Sequence, residues 1–194
     1  MDEQNLINYR KQFAFYKQLA DKTFDQLSDD ELFKEIVPGI NSIAIICQHI
    51  SGNMKSRWTD FLHSDGEKSW RNRDSEFEAV ISDKKNLVQL WEEGWNCLFG
   101  ALNELSDKDL DRIVYIRNQG HRVVEAINRQ LAHYAYHIGQ IVFVGRMIRN
   151  DKWQSLSIPK GESKNFNKDK FSKQKRREHF TQQFLNEDKN EEQS

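Results

Sequence analysis

Apolar side chains recur along much of this chain at the three- and four-residue spacing of an amphipathic α-helix. Prolines stand only at positions 38 and 159, so long stretches are free to be helical. Four long helices are predicted, over about Glu3–Leu27, from Ser42 to Phe61, from Ser82 to Leu105 and over Val124–Asn150. The chain is therefore expected to have an all-α fold.

The connections between these helices carry their own signals. Ser28 and Glu31 form a capping-box pattern that predicts one further turn of helix. Asn41 or Ser42 is placed to cap the second long helix, and Ser82 the third. Between 112 and 124 the sequence alternates around Asn-Gln-Gly-His, which predicts a small hairpin or an extended excursion.

Composition narrows the class of protein. The formal net charge is −1 and 30% of the residues are charged, which is typical of a soluble protein rather than a nucleic-acid or membrane specialist. The N-terminus lacks a secretory pattern, and no apolar run approaches the roughly 20 residues that span a bilayer. Only two cysteines are present. A reducing cytoplasm is the expected location.

Two histidines stand out in the last long helix. His133 and His137 are four residues apart, so both can direct a ring nitrogen at one point from the buried face. His49 lies beside the buried face of the second helix. Three neutral imidazoles with an open position form a metal site that suits zinc, nickel, iron or manganese. The spacing alone also fits core histidines that are hydrogen-bonded to neighbouring polar groups.

Two amides near these histidines are candidates for supporting roles. Gln140 lies about one helical turn after His137, and Asn53 lies about one turn after His49. Either side chain can hydrogen-bond a ligand histidine or a coordinated water, or can act as a structural bridge between helices. Cys47 points away from His49 around the helix and is expected to be a buried apolar residue. No catalytic residue is indicated by the sequence.

The segment His133-Tyr-Ala-Tyr-His137-Ile-Gly-Gln-Ile141 resembles the helix-four signature of the DinB/YfiT-like superfamily. The matching element on the second helix is Gln48-His49-Ile50, and the order of elements agrees from residue 1 to about 150. The segment 153–167, WQSLSIPKGESKNFN, resembles the C-terminal motif of an uncharacterised subfamily of that superfamily.

The resemblance implies an up-down-down-up four-helix bundle in which His49, His133 and His137 hold one divalent metal, and it implies a homodimer. Members with known activity use the metal to activate a low-molecular-weight thiol, which implies a thiol S-transferase-like enzyme, or a hydrolase, acting on a small electrophile. A thiol or water at the open position would supply the nucleophile. The alternative is a non-catalytic metal-binding bundle with a structural or stress-related interaction role.

The domain boundary is predicted near residue 152. Residues 1–152 would form the helical domain, and 153–194 a partly packed segment followed by a disordered charged tail. The SIPKG segment is expected either to pack against the helical domain or to fold over the opening of the predicted metal site. Seven basic residues lie within 164–177, but the acidic end that follows favours a solvated tail over nucleic-acid binding.

Overall fold

The computed structural model describes residues 4–185 and is mostly helical, with one small two-stranded sheet. Four helices are long: α1 (Gln4–Asp25), α3 (Ile43–Trp58), α4 (Lys84–Glu104) and α5 (Val123–Arg149). The short elements are α2 (Asp29–Phe33), β1 (Ile113–Ile116), β2 (Gln119–Arg122), α6 (Ser163–Ser172) and α7 (Gln182–Leu185), with 3-10 turns at Asp74–Phe77, Asp107–Asp109 and Asn150–Lys152.

The four long helices pack around one apolar core. Helix α3 contacts α4 and α5, and α1 contacts α5 and α4. A cluster of fully buried aromatic rings, Phe13, Trp58, Trp95 and Tyr134, takes one ring from each of these helices. The ring centroids of Phe13 lie 6.1 Å from Trp58 and 6.0 Å from Tyr134. Rings of this size and geometry supply much of the apolar area that holds helices together.

The residues that cap the long helices are at or next to the positions predicted from the sequence. The Ser42 hydroxyl accepts a hydrogen bond from the backbone N–H of Ile45, 3.3 Å away, so Ser42 begins α3 as predicted. The prediction that Ser82 caps α4 was wrong by one residue. Asp83 is the cap, because its carboxylate accepts from the backbone N–H of Asn86 at 2.9 Å. Aspartate caps as well as serine, so composition could not separate these neighbours.

The predicted hairpin is confirmed. Strands β1 and β2 pair antiparallel, with Ile116 opposite Gln119. Arg117 and Asn118 between them both have positive φ, 55° and 59°, which is the backbone of a two-residue type I′ turn. The Asp65 carboxylate accepts from the backbone N–H groups of both residues, at 2.8 and 2.7 Å. The loop between α3 and α4 therefore holds the hairpin tip in place.

The C-terminal segment lies at the ends of α1 and α5 rather than over the histidines. The Gln154 backbone N–H donates to Gln26 at the end of α1, at 2.8 Å. Further along, Phe180 and Phe184 pack on Phe15 of α1, with centroids 5.8 and 5.3 Å away. The acidic end of the tail lies outside the described residues, so its disorder and the boundary near 152 stay predictions.

Among residues 4–185, no helix has both the length and the apolar character needed to cross a bilayer.

Candidate metal centre

Helices α3 and α5 bring three histidines together at one point. His49 comes from α3, and His133 and His137 come from successive turns of α5. Each residue offers one ring nitrogen, and these nitrogens lie within 4.8 Å of one another. His49 is only 4% exposed, and the other two are half-buried. The i,i+4 spacing on α5 and the buried face of α3 thus produce the cluster that the sequence predicted.

A carboxylate fixes the orientation of His49. The Nδ1–H of His49 donates to Oε2 of Glu76 at 2.9 Å, and Glu76 comes from the 3-10 turn after α3. Arg71 donates to both oxygens of the same carboxylate, at 2.7 and 2.9 Å. Burial opposes ionisation, but the hydrogen bonds from His49 and Arg71 lower the pKa of Glu76. The ionised carboxylate can only accept, so it selects the tautomer of His49 with a free Nε2 lone pair.

A glycine makes this contact possible. A Cβ at Gly52 of α3 would lie 2.4 Å from Oε1 of Glu76, which is inside the contact limit of the atoms. Gly52 stands one turn after Gln48 in the middle of a helix, where glycine costs about 1 kcal/mol relative to alanine. The open surface at this glycine lets the Glu76 carboxylate approach α3 and reach His49.

An amide plays the corresponding part for His137. Nδ1 of His137 lies 2.8 Å from Oε1 of Gln140, so a proton on Nδ1 leaves Nε2 unprotonated. This is the contact that the sequence suggested for Gln140. Nε2 of His137 lies 3.1 Å from Nε2 of His133. Two nitrogens of a tetrahedral zinc site are about 3.3 Å apart when each bond is 2.0–2.1 Å, so this spacing suits chelation.

The environment keeps two of these rings neutral. Burial lowers the pKa of His133 to about 3, and the positive charges of Arg57 and Arg71 act in the same direction. Burial also lowers the pKa of His137, although its hydrogen bond to Gln140 acts in the opposite direction. Only the neutral imidazole has a lone pair for a metal, so the site favours the form that binds.

Of the two roles that the sequence left open for Asn53, the structure shows the bridge between helices. Its Oδ1 accepts from the Tyr134 hydroxyl at 3.0 Å, and that hydroxyl accepts from the Trp58 indole N–H at 3.1 Å. Burial raises the pKa of Tyr134, which therefore stays protonated as the donor. Asn53 thus belongs to a hydrogen-bonded bridge between α3 and α5. The Tyr134 ring of this bridge lies 5.5 Å from the His133 ring.

The residues that were not proposed as ligands lie elsewhere. Cys47 is fully buried, and burial raises the pKa of its thiol well above the ordinary value. His121 accepts from Arg129 on the hairpin side, and His179 contacts Asn8 of α1 at 2.6 Å. Within the described part of the chain, the cluster of His49, His133 and His137 is the one group of three potential ligand side chains close enough to hold a metal.

The comparison with protein families covers the part of the chain that contains the four long helices. A family model described as a protein of unknown function (DUF1572) matches residues 1–162. The chain belongs to this family. No curated protein and no solved structure shows significant similarity to it. The family description states no reaction, so function has to be argued from the site itself.

Sequence reasoning missed the residues that position the histidines. Glu76 lies 27 residues beyond His49 in a polar loop, and no spacing rule links the two. Arg71 lies in the same loop, and no spacing rule links it to a histidine either. The one available signal was Gly52, because a glycine inside a long helix often marks a close approach by another group.

Proposed function

We propose that His49, His133 and His137 hold one divalent metal ion and that the protein is a metal-dependent enzyme, S-transferase-like or hydrolase-like, of the DinB-like superfamily. The observation that carries this proposal is the set of three ring nitrogens within 4.8 Å of one another. Two of the rings have their other nitrogen engaged, by Glu76 and Gln140. Such outer partners are what metal-ligating histidines usually have.

The residues fit a metal better than they fit a purely structural core. A carboxylate–histidine pair, a depressed histidine pKa and a 3.1 Å contact between two Nε2 atoms all favour lone pairs converging on one point. A hydrogen bond between His133 and His137 would account for the contact between their Nε2 atoms, but it would give Nε2 of His49 no role. When bound, a divalent metal lowers the pKa of a coordinated thiol or water and so supplies a nucleophile at neutral pH.

The chain's own residues would then orient the ligands and limit access of water. Glu76 and Arg71 hold His49, Gln140 holds His137, and the bridge through Tyr134 and Asn53 fixes α5 against α3. We also propose that the four long helices form an up-down-down-up bundle. Their pairwise contacts, in which α1 and α3 each touch both α4 and α5, support this arrangement.

The experiment is a thiol-transfer assay with the metal-loaded protein. Consumption of a small thiol by a generic electrophile should require metal, should cease after chelation, and should be absent in His133→Ala. His63→Ala, which changes an exposed histidine outside the cluster, is the matched control and should keep the parent rate. If no thiol in a panel reacts while the metal is present, S-transfer loses its support.

The second candidate is a metal-binding bundle without catalysis. It is favoured by the depth of His49 and by the contact of the His133 ring with Tyr134 of the aromatic core, because a bound metal would there join α3 to α5. Metal binding that raises the melting temperature, together with no turnover of thiols or esters, would support this candidate over the enzyme.

A further inference from the structure

A small cavity of about 210 Å³ opens beside the histidine cluster, with His49 and His133 in its wall. Its lining is rich in one type of side chain. Five arginines contribute to it, namely Arg57, Arg71, Arg73, Arg117 and Arg129. They come from α3, the loop after it, the hairpin turn and α5, so the fold gathers them from four separate parts of the sequence.

Three of these arginines are held in place by a shared carboxylate. Glu67 accepts from Arg57 at 3.1 Å, from Arg117 at 3.1 Å and from Arg71 at 3.4 Å. Arg71 is also held by Glu76. Two carboxylates thus serve three guanidinium groups, and the arginines cannot move freely to follow a ligand. A pre-oriented guanidinium loses little freedom when it binds an anion.

The other two arginines have no acidic partner. Within residues 4–185, neither Arg73 nor Arg129 forms an ion pair. Arg73 lies over the Phe77 ring at 5.1 Å, and Arg129 donates to Nε2 of His121 at 3.1 Å. Both contacts orient a guanidinium without cancelling its charge. The cavity therefore has an excess of positive charge next to the histidines.

Two polar atoms on lining residues have no partner in the part of the chain that the structure describes. They are Nε of Arg57 and Oε1 of Gln130, and both residues are more than nine-tenths buried. An unsatisfied buried group costs about 1–3 kcal/mol. The wall of the cavity thus contains polar residues whose needs the described part of the protein does not fully satisfy.

We propose that this cavity binds a small organic anion, a molecule with a carboxylate or phosphate group, and that this anion selects the substrate of the histidine centre. Guanidinium groups bind both kinds of oxyanion through paired N–H donors. The cavity is smaller than the 300–1,000 Å³ typical of sites for drug-sized ligands, so the ligand is of metabolite size. The role in substrate selection rests on the proposed metal chemistry, whereas anion binding depends on the arginines alone.

The test is calorimetric titration of chelator-treated protein at low salt, with succinate and with inorganic phosphate in separate experiments. The parent should bind at least one of them, and the double variant Arg73→Gln/Arg129→Gln should bind it at least tenfold more weakly. Both arginines are exposed, so the variant should fold. Arg146→Gln, which removes the same charge from an exposed position of α5 outside the cavity, is the matched control and should bind like the parent.

The two ligands distinguish the source of the anion. Binding of succinate alone assigns a carboxylate, and binding of phosphate alone assigns a phosphate group. If neither binds, or if the double variant binds like the parent, the proposal is overturned. Metal content is measured separately, on protein from the same preparation that has been reconstituted with metal and not treated with chelator. Anion binding without metal leaves the arginine site in place and removes the proposed metal chemistry, whereas metal without anion binding does the reverse.

Discussion

A cavity of about 660 Å³ lies between the ends of α1 and α5 and the segment after Trp153, whereas the cavity beside His49 and His133 measures only about 210 Å³. Every residue that lines the larger cavity is at least partly exposed. Four of the nine residues that line the smaller one, His49, Asn53, Arg57 and Gln130, are buried. Burying polar groups is costly unless they are paired or used, so the smaller cavity is the better candidate for chemistry.

A glycine lies at a close contact in each of the two regions, but the two contacts have different roles. At the end of α5 near the larger cavity, small residues allow close helix packing: a Cβ at Gly145 would lie 2.5 Å from Cγ2 of Thr23. In the histidine region the small residue is Gly52, and what approaches it is the carboxylate of Glu76. One glycine serves packing and the other serves the orientation of a ligand side chain.

The largest effect is expected at Glu76. Glu76→Gln removes the charge that orients His49, so the affinity for zinc should fall by about 10–100-fold. Competition with a chelating dye measures this affinity. Glu93→Gln, which changes an exposed glutamate paired with Lys55 of α3, should leave zinc affinity unchanged. Equal affinities for parent and Glu76→Gln would show that the carboxylate has no part in the site.

The next effect separates packing from metal binding. Gly145→Ala places a methyl group against Thr23 and should destabilise the protein by about 1–3 kcal/mol in chemical unfolding. Its metal content should stay that of the parent. Gly139→Ala on the same helix meets no atom within 4 Å and should instead stabilise by up to about 1 kcal/mol. Loss of metal in folded Gly145→Ala would contradict the division between the two regions.

A smaller effect compares the two amides near the histidines. Gln140→Ala removes the acceptor of His137 and should weaken zinc binding by several-fold. Asn53→Ala leaves the buried Tyr134 hydroxyl without its acceptor, so it should lower the free energy of unfolding by about 1–3 kcal/mol with little change in zinc affinity. A loss of zinc affinity in Asn53→Ala but not in Gln140→Ala would contradict the assignment of these two hydrogen bonds.

The pH dependence of the metal-free protein tests the neutral state of His133. Because burial lowers the pKa of His133 to about 3, the unfolded chain binds a proton near pH 6.5 that the folded protein does not. The contribution of neutral His133 to the free energy of unfolding is therefore fully present above pH 6.5, and it is lost as the pH falls from 6.5 towards 3. His133→Ala should show a shallower decrease between pH 6.5 and 5 in denaturant titrations. Identical slopes would contradict the depressed pKa.

Much of the scaffold was predictable from local sequence signals. The periodicity located the four long helices, Ser42 was an identifiable cap, and alternation located the hairpin. The histidines were predictable as a group because the i,i+4 spacing and the apolar face of the second helix are both local patterns. Each of these features depends on residues within one or two helical turns.

The remaining part of the site depends on loops. Glu76, Arg71 and Arg73 come from a polar segment that carries no periodicity, and Arg117 is held by Asp65 and Glu67 of that same loop. Their positions follow from long-range hydrogen bonds between segments that a single sequence does not connect. For Asn53 the sequence left open a contact with a ligand histidine or a bridge between helices, and only the structure, through the bond to Tyr134, identifies the bridge.

The measurement that tests the central claim most directly is elemental analysis of the protein, purified without a histidine tag, beside the His49→Ala variant. The three-histidine centre predicts about one zinc, nickel, iron or manganese ion per chain in the parent and close to none in the variant. A parent that holds no metal, even after reconstitution with each of these ions, would contradict it and leave a helical protein whose three histidines serve only its core.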